Sequence, residues 1–302
     1  MLHICVSVKY IILGKTGYIA QAIAKELQSR EIAHVTLSRS ITDYTNPIIL
    51  HDWLRKNHDS GLSTKNAVII NCAGFIGKPN VDACEDKLKE TIDGNVILPH
   101  QLALSNMNRQ QPFVHISSGC IYNGYDKDYT EECPSDFDFT NGSVYSGTKA
   151  MAEEVIRKTT DQHYILRLRI PFDEHASPRN YITKMLTYNK LLNATNSMSH
   201  RGDFAKAVID LLEMDAPYGT YNITNPGSID TKTVVSMMRS YLNLKHDIEF
   251  YDDMSSFMKD VKAPRSNCVL STNKLQSLVN IRDIHEAMES TLKQYAAINN
   301  NT

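Results

Sequence analysis

The sequence lacks three features that would mark a membrane, exported or nucleic-acid-binding protein. No apolar run approaches the roughly 20 residues that span a bilayer. No basic stretch precedes the short apolar segment at residues 1–10, so we do not expect a signal peptide. The 32 Lys and Arg nearly balance the 34 Asp and Glu, and this net charge of −2 argues against nucleic acid as a partner.

Cysteine and histidine are arranged without a metal pattern. The six cysteines form no Cys-x-x-Cys pair, and His51, His58 and the acidic pairs show no metal-ligand spacing. Without an export signal we expect reduced thiols in the cytoplasm, or in the host cytoplasm if the protein is viral. The expected partners therefore include no metal and no membrane.

The composition is that of a globular protein, with 302 residues of which 42% are apolar and 22% charged. Short β-branched runs alternate with amphipathic stretches of about 10–15 residues, a pattern typical of an α/β fold with a doubly wound parallel sheet. The predicted strands are 9–13, 34–37, 67–70, 113–117, 164–170 and 219–224. The predicted helices are 18–28, 91–105, 146–158, 181–188, 202–214, 231–242 and 281–297.

The length of the chain and the change in its sequence pattern after Pro171 predict two parts. At about 100–200 residues per domain, the chain fits one large domain or two intimate ones. Residues 1–170 form the predicted Rossmann-type nucleotide-binding half, which residues 200–224 complete. After Pro171 a polar loop and further helices predict a smaller, interleaved substrate-binding lobe over most of 171–302.

The first motif lies between the first strand and the first helix. Small residues there let the backbone approach a pyrophosphate, which sits on the helix N-terminus. The spacing is Gly-x-x-Gly-x-x-Ala, and a tight strand-to-helix turn without a ligand is the alternative. The residues concerned are Gly14, Lys15, Thr16, Gly17, Tyr18, Ile19 and Ala20.

The end of the second strand favours NADPH over NADH. An acidic residue there would bind the ribose 2′-hydroxyl of NADH, whereas this chain has Ser38 and Arg39. Arg39 and Lys15 are two cations suited to a 2′-phosphate. The alternative is NADH, with Arg39 as a solvated loop residue.

Tyr145 and Lys149 form the second motif. Residues at i and i+4 share a helix face, so the phenol and the ammonium can flank one ligand. A nearby cation stabilises a phenolate and is expected to lower the pKa of Tyr145 from its usual value of about 10. Ser118, at the end of a strand 27 residues before Tyr145, makes the pattern more specific.

Together these features resemble the extended short-chain dehydrogenase/reductase family. The resemblance implies that Tyr145 gives a proton to a ketone, that Ser118 hydrogen-bonds the same oxygen, and that Lys149 holds the nicotinamide ribose and tunes Tyr145. A buried structural amide is the alternative for Asn95, which falls where the family often has a helix asparagine. The further cofactor contacts that the resemblance implies are Asn71, Ala73, Gly74 and Asn95.

A closer resemblance covers nearly the whole chain. The sequence is similar to the bifunctional UDP-4-keto-6-deoxyglucose 3,5-epimerase/4-reductases that complete UDP-rhamnose synthesis, and more distantly to the dTDP-4-dehydrorhamnose reductases. This implies a UDP-sugar substrate and leaves a homodimer open. The matching segments are 77–85, 119–121, 178–184, 196–198, 222–227 and 263–267.

Epimerisation beside a ketone needs two acid–base groups on opposite faces of the sugar and donors that stabilise the enolate oxygen. Cys120 is the first candidate, because it lies two residues after Ser118 and both should leave the strand end in one direction. It also looks like the cysteine of the GDP-fucose synthases. Gly119, between the two, is an expected substrate contact, and a small buried hydrophobe is the alternative for Cys120.

Lys184 is the second acid–base candidate, since it matches a lysine of the plant bifunctional enzymes and partial burial would shift its pKa. The alternatives are a solvated helix lysine and, as the acid–base group, His175. Asn180 and Arg265 are expected substrate contacts, with Arg265 suited to a diphosphate unless it is a plain surface arginine.

Three functions stay open. The first is the epimerase/reductase. The second is a UDP- or dTDP-4-dehydrorhamnose reductase alone, acting on a sugar that a separate protein epimerises. The third is a non-catalytic regulatory subunit of the same fold.

Overall fold

A six-stranded parallel sheet forms the centre of the protein. The computed structural model describes residues 6–59, 62–64, 66–107, 109–137, 139–140, 142–242, 244 and 247–299. The order across the sheet reverses at one point, and ligands bind at such a point in open α/β sheets. The strands in chain order are β1 Tyr10–Leu13, β2 His34–Leu37, β3 Val68–Asn71, β4 Phe113–Ser118, β5 His163–Leu168 and β6 Gly219–Asn222.

The sheet order is β6-β5-β4-β3-β1-β2, and every neighbouring pair is parallel. The chain therefore crosses from one edge of β1 to the other between β2 and β3. The carboxyl ends of β1, β3 and β4 meet at this crossing, which is where the glycine loop and the Ser118 segment begin.

Helices cover both faces of the sheet. The helix pair α4 and α5 is continuous through a π-turn at Asp93–Ile97. The α-helices are α1 Tyr18–Ser29, α2 Pro47–Asp59, α3 Ala83–Asp86, α4 Leu88–Ile92, α5 Leu98–Met107, α6 Val144–Thr159, α7 Tyr181–Met185, α8 Arg201–Glu213, α9 Thr231–Tyr241, α10 Met254–Met258, α11 Asn273–Gln276 and α12 Ile284–Asn299.

The burial of both sheet faces explains why the strands are apolar at successive positions rather than at alternate ones. All four residues of β1 are buried. One core packs the sheet against α1 and α8, through residues such as Ile23, Phe204 and Val208. The other core packs it against α2, α5 and α6, through residues such as Leu54 and Leu102.

The C-terminal lobe has a core of its own. It lies between α7, α9 and α12 and contains Met185, Val234, Met238 and Leu292. Short strand pairs tie loops to the lobe and to the sheet. They are Val6–Ser7 with Leu62–Ser63, Gly124–Tyr129 with Cys268–Leu270, Pro171–Phe172 with Ser199–His200, Lys190–Leu191 with Glu249–Phe250, and Thr195–Asn196 with Ile229–Asp230.

The predicted α/β fold is confirmed, with differences in detail that include the following. The predicted helix 181–188 ends earlier, at Met185. The predicted helix 91–105 begins at Leu88 and contains the π-turn. Helix α2 was not predicted, because its segment is rich in polar and charged residues. No helix in the described part of the chain is long and apolar enough to cross a membrane.

Candidate active site

The glycine loop fits a pyrophosphate. Gly14 has a φ of +92°, which favours glycine, and a Cβ there would lie 3.1 Å from the backbone nitrogen of Ala73. The next helix, α1, begins at Tyr18 without a side-chain cap on its N-terminus. Its first N–H groups can therefore bind a phosphate oxygen. The residues present fit the dinucleotide that the sequence predicts.

Arg39 and Lys15 lie beside this loop with exposed side chains. The backbone N–H groups of Gly14 and Lys15 donate to the carbonyl of Leu37, at 3.0 and 2.9 Å, which ties the loop to the end of β2. Neither cation has a hydrogen-bond or ion-pair partner among the described residues. Both are therefore free to take an anionic group, and their role at a 2′-phosphate stays a prediction.

Asn95 has its side-chain amide fully used within the protein. Its Oδ1 accepts from the N–H of Phe75 at 2.7 Å, and its Nδ2 donates to the Phe75 carbonyl at 2.8 Å and to Thr148 Oγ1 at 3.2 Å. These bonds hold the loop after β3, with Ala73 and Gly74, against helix α6. Asn95 is thus the structural amide, and any effect on a cofactor passes through this loop.

Helix α6 brings Tyr145 to Ser118. The helix starts where Ser143, as N-cap, accepts from the N–H of Ser146 at 3.0 Å. Tyr145 then lies in the first turn, with its hydroxyl near Ser118 at the end of β4. A phenol and a hydroxyl that meet in this way can hold one carbonyl oxygen between them.

The expected lowering of the Tyr145 pKa is wrong. Burial is the largest influence and raises the pKa of Tyr145, and nearby Cys120 raises it further. Lys149 does not pair with the phenol, because its Nζ donates to the Ile116 carbonyl at 2.9 Å and lies 3.1 Å from His115 Nε2. Burial lowers the pKa of Lys149 to about 8.

A buried ion pair that the sequence did not reveal anchors this face of α6. Glu153, one turn after Lys149, receives three hydrogen bonds from Arg167 on β5, including Nη2 to Oε2 at 2.7 Å. Both side chains are 1% exposed. Ser117 and Arg157 also donate to Glu153, at 2.5 and 2.6 Å. The pair fixes the helix against β4 and β5.

Cys120 lies beside Ser118 as predicted, but the local backbone structure differs from the extended strand that was expected. The strand ends at Ser118, and Gly119–Ile121 forms a 3₁₀ turn, so strand alternation does not place the sulfur. The N–H of Cys120 donates to Ser118 Oγ at 3.2 Å, and this turn keeps the two residues together. Gly119 is packed so closely that a Cβ would lie 2.6 Å from Leu270 Cδ1.

Arg169 is the cation beside Cys120, and sequence reasoning missed it. Its Nη1 lies 3.8 Å from Cys120 Sγ and donates to the carbonyl of Gly119 at 3.1 Å. The side chain is 1% exposed, and Ser266 and Asn196 hold it from the other side. Its Nε has no hydrogen-bond partner among the described residues. Arg169 follows β5, and only the sheet order brings it to Cys120.

Two arginines lie near Lys184 on α7. Burial, then Arg179 and Arg265, lower the pKa of Lys184. The charge of Arg179 also acts on Tyr145, whose pKa it lowers. Arg265, expected to meet a diphosphate, instead makes a two-pronged ion pair with Asp82 at 2.7 and 3.0 Å. Arg179 is the more available of the two arginines.

Asn180 and His175 do not take the expected positions. Asn180 is fully buried, caps α7 by accepting from the N–H of Ile182 at 3.0 Å, and donates to the carbonyls of Asp173 and His175. It is a structural residue rather than a substrate contact. His175 is exposed, with its Nε2 3.5 Å from Glu174, and no contact in the described residues links it to Cys120.

Comparison with known proteins places the chain in one protein family. The family described as the RmlD substrate binding domain matches residues 8–297. A trifunctional UDP-glucose 4,6-dehydratase/UDP-4-keto-6-deoxy-D-glucose 3,5-epimerase/UDP-4-keto-L-rhamnose-reductase of Arabidopsis thaliana is 32% identical over 89% of this chain, which spans only 39% of that protein.

Two further likenesses cover most of both proteins. A bifunctional dTDP-4-dehydrorhamnose 3,5-epimerase/dTDP-4-dehydrorhamnose reductase of the same plant is 31% identical over 90% of this chain and 87% of its own length. The crystal structure of the L780 UDP-rhamnose synthase of Acanthamoeba polyphaga mimivirus has a TM-score of 0.84 at 24% identity, over 96% of this chain and 100% of that one. The structural likeness agrees with the Rossmann-type sheet.

Proposed function

The chain belongs to the RmlD substrate binding domain family, and on that premise we propose that it is an NADPH-dependent nucleotide-sugar 4-ketoreductase of rhamnose synthesis that also epimerises its substrate. The proposed reaction converts UDP-4-keto-6-deoxyglucose to UDP-L-rhamnose. The observation that carries the proposal is the convergence of Ser118, Tyr145 and Cys120 at the end of β4.

The reductase half rests on Tyr145 and Ser118. Bound NADPH would supply the hydride that adds to carbon 4. Tyr145, whose raised pKa keeps it protonated at neutral pH, gives its proton to the ketone oxygen as the C=O bond becomes C–OH. Ser118 donates to the same oxygen and orients it. Lys149 lies one turn along α6 and would hold the nicotinamide ribose.

The epimerase half uses the same oxygen. The ketone at carbon 4 acidifies the hydrogens on carbons 3 and 5, and a base removes such a proton to leave an enolate that Ser118 and Tyr145 stabilise. Cys120 is the proposed group on one face of the sugar. The Arg169 guanidinium, 3.8 Å from its sulfur, would balance a thiolate charge.

Lys184 is the proposed group on the opposite face. Its pKa is lowered by burial and by Arg179 and Arg265, which makes the amine easier to deprotonate than that of an exposed lysine. No hydrogen bond or ion pair occupies its Nζ in the part of the chain described. Cys120 would remove the proton on one face and Lys184 would return a proton on the other face. This exchange inverts the configuration of the carbon.

The anionic groups of the ligands are assigned to local cations. Arg179 would face the sugar diphosphate, and Arg39 with Lys15 would face the 2′-phosphate of NADPH. The balanced overall charge agrees with this, since two anionic ligands are bound by clustered cations rather than by a basic surface.

The test is a coupled assay with the purified protein and NADPH. UDP-4-keto-6-deoxyglucose and its already epimerised ketosugar are supplied separately, and the dTDP forms are run beside them. NADPH oxidation with UDP-rhamnose as product from the first substrate supports the whole proposal. Turnover of the epimerised sugar alone would leave a reductase, and no turnover of any ketosugar would leave a non-catalytic subunit.

A further inference from the structure

Residues 77–85 and 263–267, two of the segments that resemble the bifunctional enzymes, lie against each other in the fold. Asp82, directly before α3, accepts from Arg265 Nη1 and Nη2 at 2.7 and 3.0 Å, and from the N–H of Ala263 at 2.9 Å. Two parallel bonds between a guanidinium and a carboxylate fix orientation as well as distance. Asp82 therefore anchors the start of the segment 263–267.

The Asp82 carboxylate is charged, and the helix beside it is itself held in place. Burial raises the pKa of Asp82, but the hydrogen bonds from Arg265 and the backbone outweigh it, and the pKa ends below its usual value. On α3, Glu85 Oε1 accepts from the N–H of Val144 at 2.9 Å, where α6 begins. Asp82 is thus tied to the start of the helix that carries Tyr145.

Ser266, one residue after Arg265, holds Arg169 in place. Arg169 donates through Nη1 to Ser266 Oγ at 2.9 Å and through Nη2 to the Ser266 carbonyl at 2.6 Å. The other oxygens that accept from Arg169 in the described residues are the Gly119 carbonyl and Asn196 Oδ1. All four oxygens are uncharged, so the position of the guanidinium depends on where they are placed.

The chain around Ser266 is held on both sides by different contacts. After it, the short strand Cys268–Leu270 pairs with Gly124–Tyr129. Before it, the contacts to Asp82 through Arg265 and the backbone hold the chain. Loss of the Asp82 charge would therefore release the chain on one side of Ser266 and leave the strand pair intact.

We propose that Asp82 is a positioning residue for Cys120. Through Arg265 it holds Ser266, which keeps the Arg169 guanidinium 3.8 Å from the Cys120 sulfur. A cation at this distance favours a thiolate and attracts anions to it. The consequence for epimerisation rests on the proposed function, whereas the placement of the cation does not.

The test compares two alkylating reagents at Cys120 in the full-length protein. Iodoacetate is anionic and iodoacetamide is neutral, and both react with the thiolate. The ratio of their rates therefore reports the local positive potential with the thiolate fraction and the exposure divided out. In Asp82→Asn we expect this ratio at Cys120 to fall about threefold or more, as in Arg169→Gln. Peptide mass spectrometry also follows Cys133, another partly exposed thiol, whose ratio should not change.

The matched control is Asp86→Asn. Asp86 pairs with Lys262, but these side chains are 63% and 53% exposed, against 26% and 24% for Asp82 and Arg265, and solvent screens an exposed pair. Loss of a negative charge alone would raise the ratio, so a fall reports displacement of the cation. Arg265→Lys keeps the charge, loses the two-pronged geometry and serves if Asp82→Asn does not fold. A wild-type ratio in either variant, or an equal fall in Asp86→Asn, would overturn the proposal.

A second readout uses the ketosugars. Asp82→Asn should lose solvent-deuterium incorporation at carbons 3 and 5 by about tenfold or more, while turnover of the already epimerised ketosugar stays near wild type. Asp86→Asn should keep both. An equal loss of the two reactions in Asp82→Asn would contradict a role through Cys120. Because the alkylation ratio needs neither sugar nor cofactor, failure of the wild-type turnover assay would count against the proposed function alone.

Discussion

Arg169 Nη1 lies 3.8 Å from the sulfur of Cys120, and the two residues stand 49 positions apart in the chain. The pairing of β4 with β5 creates this contact, because Ser118 is in register with Leu168, Cys120 comes two residues after Ser118, and Arg169 comes directly after Leu168. A fixed cation thus faces the one thiol that the 3₁₀ turn places beside Ser118. This arrangement is the basis of the proposed epimerase half of the reaction.

Cys120→Ala should separate the two reactions. Removal of the thiol takes away one acid–base group and leaves Ser118 and Tyr145 in place. We expect NADPH oxidation with UDP-4-keto-6-deoxyglucose to fall about 10²-fold or more, while turnover of the already epimerised ketosugar stays near wild type. Cys133→Ala, at another partly exposed thiol, is the control. An equal loss with both substrates would show that Cys120 has no separate role in epimerisation.

Tyr145→Phe should abolish the proton donor without disturbing the fold. We expect NADPH oxidation to fall by about 10²–10⁴-fold, with NADPH affinity, measured by fluorescence titration, changed little. Ser118→Ala should slow both reactions by about 10²–10³-fold, because the oxygen loses one donor in each. Tyr218→Phe, at an exposed tyrosine, controls for the loss of a phenol. Near-normal rates in Tyr145→Phe would remove it from the reaction.

Arg39→Asp should change the cofactor preference. An aspartate at this position would repel a 2′-phosphate and bind a ribose hydroxyl. Loss of a charge-assisted contact of about 1.5–3 kcal/mol corresponds to about a 10–100-fold weaker binding of NADPH. NADH should bind as well or better. Arg55→Asp, at an exposed arginine on α2, makes the same charge change elsewhere, and an equal effect in both variants would exclude a specific role for Arg39.

Glu153→Gln should destabilise the fold. It leaves Arg167 buried without its partner, which typically costs about 3–5 kcal/mol, measured by urea unfolding at pH 7. Glu154→Gln is the matched control, because Glu154 is 57% exposed and pairs only with surface residues. Its effect should stay within about 1 kcal/mol. Similar losses in the two variants would contradict the structural role of the buried pair.

The pH dependence of stability should follow the same pair. Burial raises the pKa of Glu153, but Arg167 outweighs it and the pKa ends below 4.5. A carboxyl whose pKa is lowered by folding stabilises the protein above the unfolded pKa, and that stability is lost as the pH falls through the folded pKa. The stability difference between wild type and Glu153→Gln should therefore shrink below about pH 4.5. A constant difference down to pH 3 would argue against the pair.

Local patterns predicted the parts of the molecule that depend on neighbours in the chain. The strand at 34–37 has the predicted bounds, and Tyr145 and Lys149 share a helix as the motif predicts, although that helix begins at Val144 rather than at residue 146. The partners of Arg169 and His115 were not predictable, because strand order brings them together across 49 and 34 residues. Asn180 and Arg265 are polar residues of the kind that bind ligands. Only the fold shows that their side chains already bond to other residues of the protein.

The central claim is that one ketone-binding site performs both reactions, and an isotope experiment tests it most directly. The protein alone is incubated in D₂O with NADPH and UDP-4-keto-6-deoxyglucose, and the product is examined by NMR and mass spectrometry. The account predicts UDP-L-rhamnose with solvent deuterium at carbons 3 and 5. A reduced sugar that keeps its original configuration and carries no deuterium at those carbons would contradict it.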